Sequence, residues 1–166
     1  AQLNGCTAEE LRKGMGTYAG VDRRFDFKIK NNRHVFLSDY GHHPKEILQS
    51  AKSLKELYGN RKVTVIFQPH LYTRTRDFYK EFADALSHFD EVILTEIYPA
   101  REEPIPGVTS ALIYDNLRKG IEKQMIKKDD VLQFAKSRDF DVLVVLGAGN
   151  LDNYTEQLAE IIKEKE

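Results

Sequence analysis

Residues 35–44 read Val-Phe-Leu-Ser-Asp-Tyr-Gly-His-His-Pro, an apolar run that ends in polar and imidazole side chains. A helical pattern follows, in which apolar side chains share one face, at Ile47, Leu48, Ala51, Leu54, Leu57 and Tyr58. Pro44 suits the first helical position because no N–H donor is needed there, and Gly59 ends the pattern. The stretch therefore predicts a strand, a loop with functional side chains and a helix.

A second apolar run, Val63 to Phe67, ends in Gln-Pro-His-Leu-Tyr-Thr-Arg-Thr-Arg at residues 68–76. In open parallel α/β sheets, ligands bind outside the carboxyl ends of the strands. We therefore expect the loops after these two strands to share one crevice. Its imidazole and guanidinium groups suit carboxylates and phosphates.

The rest of the chain alternates between strand and helix patterns. The predicted strands are 24–29, 35–37, 62–67, 91–97, 124–126 and 141–146. The predicted helices are a short one after Thr7, then 44–58, 77–86, one from Thr109 to Gly120, 130–137 and 151–163. Apolar strands separated by helices predict a Rossmann-like three-layer α/β sandwich with a mostly parallel sheet of about six strands. The first two strands form a hairpin, so the first supplies one antiparallel edge strand.

Composition bounds the kinds of partner. The 166 residues, 41% of them hydrophobic, suffice for one principal core. The net charge is −1, from 25 basic and 26 acidic residues, so the composition lacks the excess of basic residues typical of proteins that bind nucleic acid or an anionic membrane. A single cysteine, Cys6, excludes an intrachain disulfide framework and is compatible with a reducing compartment. No apolar run approaches the length of a membrane span. We expect a soluble, cytoplasmic protein.

Three spaced motifs occur in one order: Asp-Tyr-Gly-His-His-Pro at 39–44, Phe-Gln-Pro-His-Leu-Tyr-Thr-Arg-Thr-Arg at 67–76 and Ile-Tyr-Pro-Ala-Arg-Glu-Glu-Pro-Ile-Pro-Gly-Val at 97–108. Arg-Arg-Phe at 23–25 precedes them, and Leu-Gly-Ala-Gly-Asn at 146–150 follows. Together they resemble the C-terminal domain of the Mur ligases. The Tyr-Pro-Ala-Arg-Glu stretch resembles the alanine-adding members rather than those that add later amino acids.

This resemblance implies an ATP-dependent amide ligase of peptidoglycan synthesis. In that reaction the carboxylate of UDP-N-acetylmuramate is phosphorylated, and the amine of L-alanine attacks the acyl phosphate. The family binds ATP and Mg mainly through a central domain with a P-loop, and no G-x-x-x-x-G-K-[ST] occurs here. We therefore interpret residues 1–20 as the tail of the central domain plus linker, and 21–166 as the C-terminal amino-acid-binding domain. The fragment alone is expected to be inactive.

Arginines are the first candidates for the site. Arg74 is expected to be catalytic and to bind substrate, because a fixed guanidinium stabilises charge that develops on a phosphoryl or acyl group; the alternative is a solvated side chain, and Arg76 lies beside it. The resemblance favours Arg24 as an ATP contact, with Asp39 bonding a ribose or orienting Arg24, unless Asp39 only caps the next helix. Family members often carry a basic residue where Leu71 stands, so Arg74 takes more of the carboxylate-binding role or that role lies elsewhere.

Histidines are the second candidates. His42 and His70 are expected to be catalytic, by binding a carboxylate or acyl phosphate or by accepting a proton from the ammonium group of alanine. His42 and His43 are expected to bind substrate, although His43 also suits a helix cap. No metal site is expected, because adjacent histidines diverge and no acidic or thiol ligand has metal spacing. His34 and His88 lie off these loops and are expected at the surface.

The glycine-rich stretch after the last strand is the third candidate. Gly147 and Gly149 are expected to let backbone N–H groups approach an anion at a helix N-terminus, so Ala148 and Asn150 are named as substrate-binding. A tight turn is the alternative. An NAD site is not favoured, because Asp152 replaces the third glycine and no later strand follows.

A function of another class also fits the fold, namely a free-standing nucleotide- or anion-binding module without catalysis. Natural sequence upstream of residue 1 would distinguish the two, because the ligase interpretation requires a P-loop there.

Overall fold

The structure, a computed structural model, describes residues 2–18 and 20–165. The strands are β1 (Asp26–Lys30), β2 (Val35–Asp39), β3 (Val63–Phe67), β4 (Glu91–Leu94), β5 (Glu122–Met125) and β6 (Val142–Leu146). The α-helices are α1 (Ala8–Gly16), α2 (Pro44–Tyr58), α3 (Tyr72–Leu86), α4 (Ala111–Asn116), α5 (Val131–Lys136) and α6 (Thr155–Lys163). Short 3₁₀ turns occupy Gln2–Asn4, Lys128–Asp130 and Leu151–Tyr154. No helix in the described ranges is both long and apolar enough to cross a membrane.

The strands form one six-stranded sheet in the order β1-β2-β6-β3-β4-β5. The pairs β2·β6, β6·β3, β3·β4 and β4·β5 are parallel, and only the edge strand β1 runs antiparallel, with a bulge between Phe27 and Ile29. The predicted fold class, including the antiparallel edge, is therefore confirmed.

Helices cover both faces of the sheet, so the inner strands are apolar throughout. All five residues of β3 and all five of β6 are buried. Alternate side chains point to opposite faces: Leu37, Val65 and Val144 pack with α2 and α3, whereas Phe36, Ile66 and Val145 pack with α5 and α6. The sandwich thus has two apolar cores separated by the sheet.

Helix α3 begins at Tyr72, earlier than the predicted start at Asp77. The Thr-Arg-Thr-Arg run therefore belongs to its first turns rather than to a loop. The prediction was wrong because the anion at this helix end comes from a distant residue, Glu102. Strand β4 and helix α4 are shorter than predicted, because the backbone leaves the sheet at Thr95, whose carbonyl accepts a hydrogen bond from Ser110 Oγ.

His34 was expected at the surface, and this is wrong. Its side chain is 2% exposed, and Nδ1 lies 2.8 Å from the carbonyl oxygen of Phe140. A carbonyl only accepts, so Nδ1 carries the proton. The backbone N–H of His34 donates to Asn31 Oδ1 in the hairpin turn, so His34 ties that turn to the start of β6. His88 is half-buried.

The N-terminal helix α1 has the predicted capping box, in which Thr7 and Glu10 satisfy each other's backbone N–H groups. None of its residues is buried. Leu3, Met15, Tyr18 and Val21 are among the most exposed large apolar side chains of the chain. The segment therefore adds little to either core.

Phe82 provides a test of the core on the α3 side. It is fully buried and lies 5.5 Å from Phe67, ring centre to ring centre, whereas Phe78 in the same helix is 37% exposed. Phe82→Ala should lower the free energy of unfolding by about 3–5 kcal/mol, because it leaves a cavity. Phe78→Ala should cost about 1 kcal/mol or less. Urea denaturation of both variants measures this, and equal losses would contradict the assigned core.

Candidate functional site

Three adjacent strands end at one edge of the sheet. The N–H of Gly147 donates to the carbonyl of Asp39 (3.2 Å), and the N–H of Gln68 donates to that of Leu146 (3.1 Å). The loops after β2, β6 and β3 are therefore neighbours, as the sequence predicted for those after β2 and β3. The order in which strands are added to the sheet also reverses here. From β3 the chain continues to β4 and β5 on one side, and then returns to place β6 on the other side of β3. Such a switch point is where open α/β sheets bind ligands.

Gln68 ties two of these loops together. It is 1% exposed; its amide nitrogen donates to Asn150 Oδ1 (3.2 Å) and its amide oxygen accepts from the N–H of Leu151 (3.0 Å). The loop passes so close that a Cβ on Gly149 would collide with Gln68 Oε1 and lie 2.9 Å from Tyr98 Cβ. Gly147 has φ +141° and would bring a Cβ to 2.8 Å from the Gln68 carbonyl oxygen. Both positions therefore need glycine, because the loop passes too close to Gln68 to leave room for a Cβ atom.

Four rings line the edge in a row. The ring centres of Tyr40 and His42 are 5.1 Å apart, those of His42 and His70 6.1 Å, and those of His70 and Tyr98 5.7 Å with nearly parallel planes. The predicted pair of imidazoles is therefore brought together from two different loops.

The hydrogen bonds of His42 fix its tautomer. Nδ1 lies 3.0 Å from the carbonyl oxygen of Tyr40, so Nδ1 carries the proton and Nε2 keeps its lone pair. Glu46 accepts from the backbone N–H groups of His42 and His43 (2.9 and 3.0 Å) and lies 3.5 Å from His42 Nδ1. Burial acts to raise the pKa of Glu46, but these N–H groups and the histidine charges outweigh it, and the pKa is lowered. With the proton on Nδ1, Nε2 is the atom of His42 that can accept a proton.

His70 has the opposite tautomer. Arg74 Nη1 donates to His70 Nδ1 (3.2 Å), and because a guanidinium cannot accept, Nε2 carries the proton. The pKa of His70 is lowered, first by burial and then by the charges of Arg74 and His42. A neutral His70 and a cationic Arg74 thus offer N–H donors to an anion.

Arg74 is placed by an unusual backbone. Leu71, the residue before helix α3, has φ +73° and no side-chain cap. Its carbonyl accepts from the N–H and the hydroxyl of the buried Thr75 (3.1 and 2.9 Å), which fixes the first turn. Backbone held in such a sparsely populated region is concentrated at functional sites.

Arg23 lies against the loop after β6. Its guanidinium donates to the carbonyls of Gly147 and Gly149 (3.3 and 3.5 Å), lies 3.1 Å from the carboxylate of Asp152 and stacks over Tyr40 at 4.8 Å. Arg24 is exposed, and its guanidinium is 5.9 Å from the centre of the same ring.

The remaining candidate residues make contacts within the protein that help to hold the fold. Asp39 accepts a short hydrogen bond from Ser50 and does not pair with Arg24 as proposed for it. His43 is the N-cap of α2, as the alternative reading had it, and packs on Phe78. Asn150 is bonded to Gln68, and Ala148 is half-buried beside it. Ligand contact stays a prediction for Arg24, Asp39, His43, Ala148 and Asn150.

The loop after β6 makes several contacts within the protein. Two of its N–H groups, those of Gly147 and Leu151, are bonded within the protein, and its glycine carbonyls face Arg23. A 3₁₀ turn, Leu151–Tyr154, comes before α6, so the α-helix does not start at this loop. The N–H groups of Gly147 and Leu151 are thus occupied, and substrate binding by Ala148 and Asn150 stays a prediction.

Charge and donor type define what the site can bind. His70 and Arg74 present N–H donors, and His42 presents a lone pair, which together suit a zwitterion that carries a carboxylate and an ammonium group. Mg²⁺ prefers oxygen ligands such as carboxylates. His42, His70 and Arg74 offer nitrogen atoms rather than oxygen ligands, so they suit an anion better than Mg²⁺. Among the described residues no group of three His, Cys, Asp or Glu side chains is arranged to hold a metal.

Sequence reasoning missed Gln68, Glu46, Glu102, Arg23 and Tyr98. Glu46 had a signal, since a glutamate three residues after a helix cap is typical of a capping box. The other four depend on contacts between segments far apart in sequence, which no local pattern reveals.

A comparison with known protein families identifies the family of this chain. The family model "Mur ligase, glutamate ligase domain" matches residues 23–164. The chain belongs to this family.

Individual relatives are more specific. The chain is 61% identical over 165 residues to the UDP-N-acetylmuramate–L-alanine ligase of Phocaeicola vulgatus, covering 99% of this chain and 36% of that protein. It is 52% identical over 162 residues to the ligase of the same name from Parabacteroides distasonis, covering 98% and 35%. A crystal structure of UDP-N-acetylmuramate–alanine ligase from Thermotoga maritima superposes with a TM-score of 0.78 at 26% identity, covering 99% and 35%. The chain thus spans about a third of the length of these proteins.

Gly149→Ala tests the close approach of the two loops. The new methyl group must displace Gln68, so we expect a loss of about 1–3 kcal/mol in the free energy of unfolding and a changed NMR signal for the Gln68 side-chain amide. Gly14→Ala is the control, because no atom from outside its own helix lies within 4 Å of its added Cβ. Wild-type stability and an unmoved Gln68 amide in Gly149→Ala would contradict the geometry.

Arg74→Gln tests the tautomer and charge of His70. Removing the cation should raise the pKa of His70 toward its ordinary value of about 6.5, measured by NMR titration of the ring protons. Arg76→Gln, which removes an exposed arginine paired with Asp77, should leave that pKa unchanged. Because folding lowers the pKa of His70, its contribution to stability is present above about pH 6.5 and is lost as pH falls through the folded pKa. That loss should shrink in Arg74→Gln; a His70 pKa that stays put would refute the contact.

Proposed function

We propose that this chain is the C-terminal, amino-acid-binding part of a cytoplasmic ligase that joins L-alanine to UDP-N-acetylmuramate at the expense of ATP. The observation that carries the proposal is the 61% identity to an enzyme of that name over 165 residues. The site supports it, because His42, His70 and Arg74 offer an acceptor and two kinds of donor within one crevice.

The proposal also assigns the segments of the chain. Residues 1–20 are the end of the preceding central domain and its linker, and 21–166 are the C-terminal domain. Two observations support the boundary: the family match begins at residue 23, and α1 buries none of its residues against the sheet. The exposed Leu3, Met15 and Tyr18 then pack against the rest of the ligase.

The proposed reaction has two steps. A carboxylate oxygen of the sugar nucleotide attacks the γ-phosphorus of ATP, the bond to the β-phosphate oxygen breaks and ADP leaves. His42 Nε2 then takes a proton from the ammonium group of alanine, and the freed nitrogen lone pair attacks the acyl carbon. The carbon–oxygen bond to phosphate breaks, inorganic phosphate leaves, and the second proton passes to solvent.

Arg74 and His70 hold the anionic parts in this scheme. Their N–H groups bind the carboxylate of alanine or an oxygen of the acyl phosphate, where fixed donors stabilise developing charge without reorganisation. Arg24 and Asp39 remain our proposed contacts to ATP. The phosphates of ATP and its Mg²⁺ are held mainly by the P-loop of the central domain, so the chain alone should not turn over.

A chimera tests the proposed function. This chain replaces the aligned C-terminal part of the Phocaeicola vulgatus ligase, with which it shares 61% identity. We expect phosphate release that requires ATP, UDP-N-acetylmuramate and L-alanine together, and a product of the corresponding mass. The 166-residue chain alone is the control and should release none.

Two results would favour the binding-module alternative instead. One is a folded chimera that releases no alanine-dependent phosphate. The other is tight ATP binding by the isolated chain in calorimetry.

Arg74→Lys in the active chimera tests the role of the guanidinium. Lysine keeps the charge but cannot reproduce two parallel donors. If the contact strengthens as charge develops, kcat should fall on the order of a hundredfold; if it anchors alanine, KM for alanine should rise instead. Arg76→Lys is the control, because this side chain is exposed. Wild-type values of both constants in Arg74→Lys would remove Arg74 from the site.

A further inference from the structure

Helix α3 receives its N-terminal cap from a different loop. Leu71 has no side-chain group that could cap the helix, and Glu102 takes this role. One carboxylate oxygen accepts from the N–H of Thr73 (3.0 Å), and the other accepts a short hydrogen bond from the Thr73 hydroxyl. The residue after Thr73 is Arg74, so the carboxylate holds the turn that carries the guanidinium.

The loop that carries Glu102 is itself bonded to both sides of His70. The N–H of Tyr98 donates to the carbonyl of Pro69 (2.8 Å), and the N–H of Leu71 donates to that of Tyr98 (2.9 Å). Within the loop, the N–H of Glu102 donates to the carbonyl of Pro99 (2.9 Å). A continuous set of hydrogen bonds therefore runs from the segment around His70 to the carboxylate of Glu102.

Glu102 also supplies a negative charge close to the positive charge of Arg74. The hydroxyl and then the N–H of Thr73 lower the pKa of Glu102, so it is ionised at neutral pH. Its charge acts on His70 in the direction opposite to that of Arg74, since it favours a protonated imidazole. Glu103, the next residue, is exposed and lies outside these contacts.

We propose that Glu102 is a positioning residue, which fixes the Arg74 guanidinium and the His70 imidazole relative to each other by clamping the first turn of α3 through Thr73. Its effect on the reaction rests on the proposed function; its effect on the geometry does not. A cap that only adds stability would leave the properties of His70 and the kinetic constants of the folded enzyme unchanged.

The isolated chain tests the geometry. In Glu102→Gln we expect faster hydrogen exchange at the N–H of Thr73 and a further fall in the pKa of His70, because the anion that favours its proton is gone. Glu103→Gln should match the wild type in both. An unchanged Thr73 exchange rate and His70 titration in folded Glu102→Gln would overturn the proposal.

Thr73 separates the clamp from a general charge effect. Thr73→Val removes the hydroxyl at nearly constant shape and should reproduce part of the change in exchange, whereas Thr73→Ser should not. If Glu102 acts through Thr73, the double variant Glu102→Gln/Thr73→Val should be less than additive. Full additivity would show that the two residues act separately and would overturn the clamp.

Kinetics of the chimera test the consequence. Glu102→Gln should lower kcat/KM for L-alanine on the order of tenfold to a hundredfold, the range expected when a catalytic group is misplaced by a fraction of an ångström to an ångström. KM for ATP and all constants of Glu103→Gln should stay at wild-type values. Unchanged constants in Glu102→Gln below its unfolding temperature would reduce Glu102 to a structural cap. A chimera without activity would refute the proposed function, and the exchange and titration results would still decide the geometry.

Discussion

The insertion of β6 between β2 and β3 is the constraint on which the site depends. It joins the ends of three parallel strands through backbone hydrogen bonds, and it forces the loop after β6 to pass directly over the end of β3. Gln68 lies at that crossing and is buried. Its amide therefore needs hydrogen-bond partners in the loop, because leaving a buried polar group unsatisfied costs about 1–3 kcal/mol. Only glycine at 149 leaves room for it.

The chemistry of the crevice comes from two imidazoles whose surroundings differ. His42 donates from Nδ1 to a carbonyl next to a carboxylate, whereas His70 accepts at Nδ1 from an arginine. The same side chain thus becomes a proton acceptor in one loop and a hydrogen-bond donor in the next. The chain as a whole is nearly neutral, with a net charge of −1, so this local polarity is a property of the edge and not of the composition.

Sequence patterns predicted the strands, their mostly parallel pairing, the antiparallel edge and the meeting of His42, His70 and Arg74. These features depend on apolar runs and on where polar residues follow a strand, which are local signals. The start of α3 was not predictable in this way, because its cap, Glu102, lies beyond β4. Nor were the contacts of Arg23 with Asp152 and with the carbonyls after β6, because these segments lie far apart in sequence. The burial of His34 likewise depends on Phe140, two residues before β6.

Strained backbone marks the same edge of the sheet. Arg23, Leu71 and Ala100 have φ values of +60°, +73° and +52°, although none is glycine. Such conformations cost of order 1–3 kcal/mol each and persist only where the surroundings hold them. Arg23 is held by the carbonyls after β6, and Leu71 by Tyr98 and Thr75. The two apolar cores supply the stability that offsets this strain. A ligand that meets this edge therefore finds its donors already in position, and little of its binding free energy is needed to order them.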